Sequence, residues 1–162
     1  VAHSTDLLST PRGGQIAPLP ARLARSEAMS MASGKPPRPL ARPLVCIVDD
    51  DISFREALEG WIGSLGFATR AFGSAEDFLA DDDPGAVHCL LLDIQMSGLS
   101  GLELQDQLVA AGVAIPTVFI TSRSEPRHRA RALAAGAIGF LSKPFDRDVL
   151  MSIFDSIAPS RA

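Results

Sequence analysis

No stretch of this chain is both long and apolar enough, at about 18 residues, to cross a bilayer as a helix. No continuous apolar segment lies near its start either, which disfavours a secretory signal. Cysteine is scarce: Cys46 and Cys89 are the only two, each inside an apolar run that reads as a strand. Thiols in such settings are expected to be buried and reduced rather than part of a disulfide framework, and a cytoplasmic location follows as the default. Aromatic residues are absent from residues 1–43, and no internal repeat is visible.

That N-terminal segment is rich in proline and cationic residues. It holds Pro11, Pro18, Pro20, Pro36, Pro37, Pro39 and Pro43, with Arg12, Arg22, Arg25, Lys35, Arg38 and Arg42 against Asp6 and Glu27. Without large apolar side chains it cannot bury enough surface to offset its ordering entropy. Residues 1–43 are therefore expected to be a mostly disordered tail, with 159–162 a short second one. The composition overlaps weakly with organelle transit peptides; the preferred reading is upstream or non-native sequence ahead of a start at Met29 or Met31. The tail's +4 leaves −8 on the remainder, given −4 for the whole chain. So acidic a remainder disfavours direct nucleic-acid binding by residues 44–162.

From Leu44 onward, strand and helix signals alternate. Leu44–Asp49, Phe67–Phe72, His88–Asp93, Pro116–Thr121 and Ala137–Ser142 read as strands. Between them lie helical patterns. Ser53-x-x-Glu56 resembles a capping box ahead of Phe54, Leu58, Trp61, Ile62 and Leu65, with Gly66 as the stop. Ser74 opens a short helix through Leu79, which runs into the acidic turn Asp81–Gly85. Leu102–Ala111 ends at Gly112, a helix from Pro126 ends before Gly136, and Asp146 can cap a last helix with Val149, Leu150, Ile153 and Ile157 inward. The strands are apolar throughout, which implies burial on both faces and right-handed crossovers. The expectation is a three-layer α/β sandwich over residues 44–158.

Four of the strands end on chemistry. Asp49-Asp50-Asp51 follows LVCIV, Asp93 follows HCLLL, Thr121 follows TVFI, and Lys143-Pro144 follows GFLS. Open parallel sheets place working residues beyond the carboxyl ends of their strands. Clustered carboxylates repel unless a cation joins them, and Mg²⁺ takes oxygen ligands while keeping open positions for water and phosphate. An aspartate can accept a phosphoryl group, with a hydroxyl and an ammonium neutralising the other oxygens. Singly, each residue has a plainer reading: Asp51 and its neighbours as helix-cap anions, Asp93 as a turn cap, Thr121 as a β-former, Lys143 as a turn residue. All four together, each after its own strand, favour the functional reading.

The series VDDD, LLLDIQMSGLSGLEL, IPTVFITS and GFLSKPF resembles the receiver domain of two-component response regulators. SLGFATRAFGSAEDFLA and GLELQDQL are most similar to the FixJ-like branch. The resemblance spans about residues 43–158. It implies a flavodoxin-like, CheY-like fold with strand order 2-1-3-4-5. It further implies Asp93 as phosphoryl acceptor and Mg²⁺ as the cofactor, held by Asp50, by Asp49 through water, by Asp93 and by the backbone carbonyl of Gln95. Thr121 and Lys143 would contact phosphoryl oxygens, Phe140 would rotate inward with Thr121, and the Lys143–Pro144 bond would be cis. The donor would be a sensor histidine kinase or phosphotransfer protein. The output would be the surface of the fourth helix, fifth strand and fifth helix, through which a homodimer is possible. The protein would not be an enzyme beyond its own phosphorylation and dephosphorylation.

Two departures stand out. Ser97 occupies a position where the family commonly has proline, leaving the loop after Asp93 looser. The fourth-helix region is strongly basic, with Arg123, Arg127, Arg129 and Arg131; a solvated face is the plain reading, an acidic partner the sharper one. FixJ-like regulators usually continue into a helix-turn-helix, and none is read after Lys143. A stand-alone or excised receiver without DNA or membrane binding is expected. Two alternatives remain at this point: a degenerate receiver that only binds a partner, and a phosphatase of the haloacid dehalogenase class using Asp49-x-Asp51. The second would need a later acidic motif, for which Asp146 and Asp148 follow Lys143 too closely.

Overall fold

The fold was obtained as a computed structural model, which describes residues 42–81 and 87–157. The expectations for residues 1–41, for the turn at 82–85 and for 158–162 lie outside the described residues. Five strands, β1 (Leu44–Val48), β2 (Ala68–Phe72), β3 (Val87–Leu92), β4 (Thr117–Thr121) and β5 (Gly139–Ser142), form one parallel sheet in the order β2-β1-β3-β4-β5. Five helices alternate with them: α1 (Ile52–Ser64), α2 (Ala75–Leu79), α3 (Gly101–Ala110), α4 (Pro126–Ala134) and α5 (Arg147–Ile157). This is the flavodoxin-like arrangement expected from the sequence.

Successive strand side chains point to opposite faces, and each face has its own core. Cys46, Val48, Leu90, Leu92 and Phe119 pack with Phe78 of α2, Leu104 and Leu108 of α3 and Ala132 of α4. Val45, Ile47, Cys89, Leu91, Val118 and Ile120 pack with Leu58 and Ile62 of α1 and Leu150 and Phe154 of α5. That is why the strands carry no polar alternation. Each fully buried side chain of this kind contributes on the order of 1.5–3 kcal/mol. Cys46 and Cys89 are free and buried, and burial pushes both thiols up to about 12.

Local signals mostly act as read, with three corrections. Asp51, not Ser53, caps α1, its carboxylate accepting from Phe54 N at 3.1 Å. Asp51 combines extended backbone with a carboxylate facing the open amides of the first turn. Leu65 is exposed at the end of α1 rather than part of the core. On α5 the innermost residues are Leu150 and Phe154, whereas Val149 faces outward. The glycines placed as stops do adopt the left-handed backbone, with φ of 96° at Gly66, 71° at Gly112 and 98° at Gly136.

Helix α3 has the most complete start. Ser100 accepts from Glu103 N at 3.2 Å, and the Glu103 carboxylate accepts from Ser100 N at 2.7 Å. These bonds hold the Glu103 carboxyl below the usual range, so their stabilisation is complete above the unfolded-state value and fades as pH falls through the lowered one. Ser100→Ala is expected to cost about 1 kcal/mol, read as a lower urea midpoint with unchanged slope.

Candidate functional site

The carboxyl ends of β1, β3, β4 and β5 bring together the residues singled out from the sequence. Asp49 and Asp93 are almost fully buried, at 2% and 6% exposure, while Asp50 is exposed. One carboxylate oxygen from each of the three lies within 4.8 Å of the others. Backbone bonds that extend the sheet fix the two buried aspartates: Asp49 N donates to Phe72 O at 3.1 Å, and Asp93 N to Val48 O at 3.0 Å. Lys143 enters from β5, its Nζ 2.6 Å from Asp49 Oδ2 and 3.7 Å from Asp93 Oδ2. Its ammonium thus pairs most tightly with Asp49 and only reaches toward Asp93.

The electrostatics of Asp93 follow from this crowding. Burial raises its pKa most, the neighbouring Asp49 carboxylate adds to the rise, and Lys143 opposes it, leaving Asp93 pushed up to about 6. One of its oxygens, Oδ1, is buried without a hydrogen-bond partner. An all-oxygen donor set with an orphaned buried carboxylate oxygen and an exposed third carboxylate suits a hard divalent cation such as Mg²⁺. Asp49, Asp50 and Asp93 could hold one.

The remaining expected residues are placed as follows. Thr121 is buried at the end of β4, and its hydroxyl bonds the backbone of Arg123, accepting from N at 3.2 Å and donating to O at 3.4 Å. Phe140 is buried too, its ring centroid 6.2 Å from that of Phe119. Gln95 follows Asp93 in the loop with its side chain exposed. The Lys143–Pro144 bond is cis, as expected. Asp146 accepts from Asp148 N at 2.8 Å at the start of α5, and among the described residues neither belongs to the acidic group that a dehalogenase-class site would draw on.

Four supporting residues escaped sequence reasoning. Arg55 donates to the Asp49 carbonyl at 2.6 Å, and the Phe54 ring lies 4.0 Å from the Lys143 ammonium. Their cue was their place on the first turn after the aspartate run, where a helix returns side chains to the strand end. Glu76 reaches the loop after Asp93, accepting from Leu99 N at 2.7 Å, and nothing in local sequence signals it. Gly101 packs against the Asp93 carbonyl, and its cue was a glycine at the first position of a helix. A separate cleft of about 440 Å³ lies at the opposite end of the strands, between the ends of α3 and α4, and no ionisable side chain lines it.

Comparison with known proteins gives the family. The family model for the response regulator receiver domain matches residues 45–155. Nodulation protein W of Bradyrhizobium diazoefficiens is 40% identical over 113 residues, covering 69% of this chain and 50% of that protein. The transcriptional regulatory protein FixJ of the same species is 33% identical over 113 residues, covering 69% and 55%. The solved structure of the response regulator StyR superposes with a TM-score of 0.66 at 44% identity, over 72% of this chain and 59% of that one. The chain spans about half the length of the curated relatives it matches. A match running from the second residue of β1 almost to the end of α5, on a sheet with this strand order, makes the chain a member of the response regulator receiver domain family of two-component systems.

Proposed function

We propose that residues 44–158 form a switch that accepts a phosphoryl group on Asp93 from a phosphohistidine of a sensor kinase or phosphotransfer protein. The observation that carries this is a buried carboxylate at a strand end, with one unpartnered oxygen, an acidic neighbour and an ammonium 3.7 Å away. A carboxylate oxygen of Asp93 attacks phosphorus, the phosphorus–nitrogen bond of the donor breaks, and the departing imidazole nitrogen keeps the electron pair. Lys143, already beside Asp49, turns toward a phosphoryl oxygen, and the Thr121 hydroxyl leaves the Arg123 backbone to donate to another. Mg²⁺ held by Asp50, Asp93, the Gln95 carbonyl and, through water, Asp49 would supply positive charge against the phosphoryl oxygens.

Movement of Thr121 and Phe140 then alters the surface of α4, β5 and α5. Exposed Leu133 on α4, Ile138 just ahead of β5 and Val149 on α5 make it suited to a partner or a second copy. The reading includes a cytoplasmic location and no contact with DNA by these residues themselves.

The test is incubation with Mg²⁺ and acetyl phosphate. An acid-stable, base-labile adduct is expected on the wild type and none on Asp93→Asn. No adduct on the wild type would sink the proposal, and steady turnover of phosphate esters would point to hydrolase chemistry instead.

A further inference from the structure

The loop between Asp93 and α3 is tied down at both ends. At one end Gly101 N donates to Ile94 O at 3.0 Å, closing the loop at its base. At the other, the Glu76 carboxylate of α2 accepts from Leu99 N at 2.7 Å, across 23 positions of sequence. Gly98 packs against the same carboxylate so closely that a Cβ there would lie 2.6 Å from Glu76 Oε1, with its φ at 80°. The backbone at 98–99 is thus shaped around that side chain, and a bulkier residue would push it off. Between the anchors remain Gln95, Met96 and Ser97, of which Met96 packs on the core and the other two are exposed. No proline ring restrains this stretch.

We propose that Glu76 is a positioning residue for the cation site: by holding Leu99 N it fixes the path of the loop and so the direction of the Gln95 carbonyl. This rests on the reading of Asp49, Asp50, Asp93 and Gln95 as the Mg²⁺ site. Outer partners that orient metal ligands commonly change affinity by about 10–100-fold when removed. A single bond from a side chain exposed on α2 sits at the low end of that range. Glu76 also carries a charge, which alone would attract a cation, so positioning and attraction must be separated.

The experiment compares the wild type, Glu76→Ala and Glu76→Gln by Mg²⁺ calorimetry, with amide hydrogen exchange of the metal-free proteins alongside. Glu76→Ala should weaken Mg²⁺ binding about 10-fold and speed exchange at Leu99. Glu76→Gln keeps an oxygen acceptor without the charge, and should stay within about 3-fold of the wild type with Leu99 still protected, as a small share of that range. Equal weakening by both substitutions would show a charge effect and overturn the inference. So would Glu76→Ala that binds Mg²⁺ as the wild type does, or unchanged Leu99 exchange. If the wild type bound no Mg²⁺ while Leu99 exchange still rose in Glu76→Ala, the metal-site reading would fail and the positioning role with it, leaving a loop anchor alone.

Discussion

Asp93→Asn is expected to stabilise the metal-free protein at neutral pH by up to about 3 kcal/mol, the cost of ionising a carboxyl that folding raises from 3.8 to about 6. The folded chain binds a proton at Asp93 up to about 6, whereas the ordinary value is 3.8. An acid raised by folding favours the folded state while it is protonated. Wild-type stability should therefore be greatest near or below 3.8 on this account, fall as pH rises toward about 6, and stay low above it. The Asn side chain cannot ionise and takes no part in that fall. The two proteins should converge as pH is lowered toward 4 and separate above 6, measured as urea midpoints in EDTA. Equal midpoints at pH 7.5 would contradict the crowding of Asp93 by burial and by Asp49. Mg²⁺ should narrow the gap, because a cation that binds only the folded wild type offsets the same repulsion.

Gly101→Ala should be the most damaging single-methyl addition near the pocket. A Cβ on Gly101 falls inside the van der Waals contact of the Asp93 carbonyl oxygen, 2.9 Å from its carbon and 3.0 Å from Leu92 Cγ. Two of those atoms are backbone of the strand end itself and have no rotamer into which to retreat. Overpacking of this sort costs about 1–3 kcal/mol and more when the neighbour cannot move. A loss of about 3 kcal/mol in urea unfolding is expected, with weakened Mg²⁺ binding because Asp93 shifts with its carbonyl. Gly60→Ala and Gly63→Ala are the controls. Both lie within α1 with nothing near the added methyl, so each should gain about 0.5–1 kcal/mol from helix propensity alone. A Gly101→Ala protein as stable as the wild type would show that α3 can slide away from β3.

Those two sites differ in how far the sequence reveals them. Asp93 is legible because a carboxylate ending HCLLL contradicts its apolar context, and Lys143 because GFLS precedes it on another strand. The strands themselves are legible as short, continuously apolar runs. Their order is not: right-handed crossovers allow several arrangements, and 2-1-3-4-5 came with the family resemblance. The cap of α1 was misplaced because Asp50, Asp51 and Ser53 are all capping residues, and only the backbone direction after β1 chooses among them. The inner face of α5 was misjudged because Val149, Leu150, Ile153, Phe154 and Ile157 form a stripe wider than the contact, and its rotation is set by the sheet. Glu76 acts on a backbone 23 positions away, so no local pattern carries its role, whereas Gly101 offers only the cue of a glycine opening a helix.

The sheet register has a further consequence. Val48 pairs with Leu92, Leu92 with Phe119, and Phe119 with Phe140, so one transverse row of side chains crosses four strands directly beneath the carboxylates. All four point to the same face and share one core. From Leu92, next to Asp93, to Phe140 is two strand spacings, roughly 10 Å. The shortest packed route from the acidic pocket to the α4–β5 edge therefore runs broadside through large, nearly incompressible side chains. It needs no helix to slide along its axis, and its midpoint is the ring of Phe119.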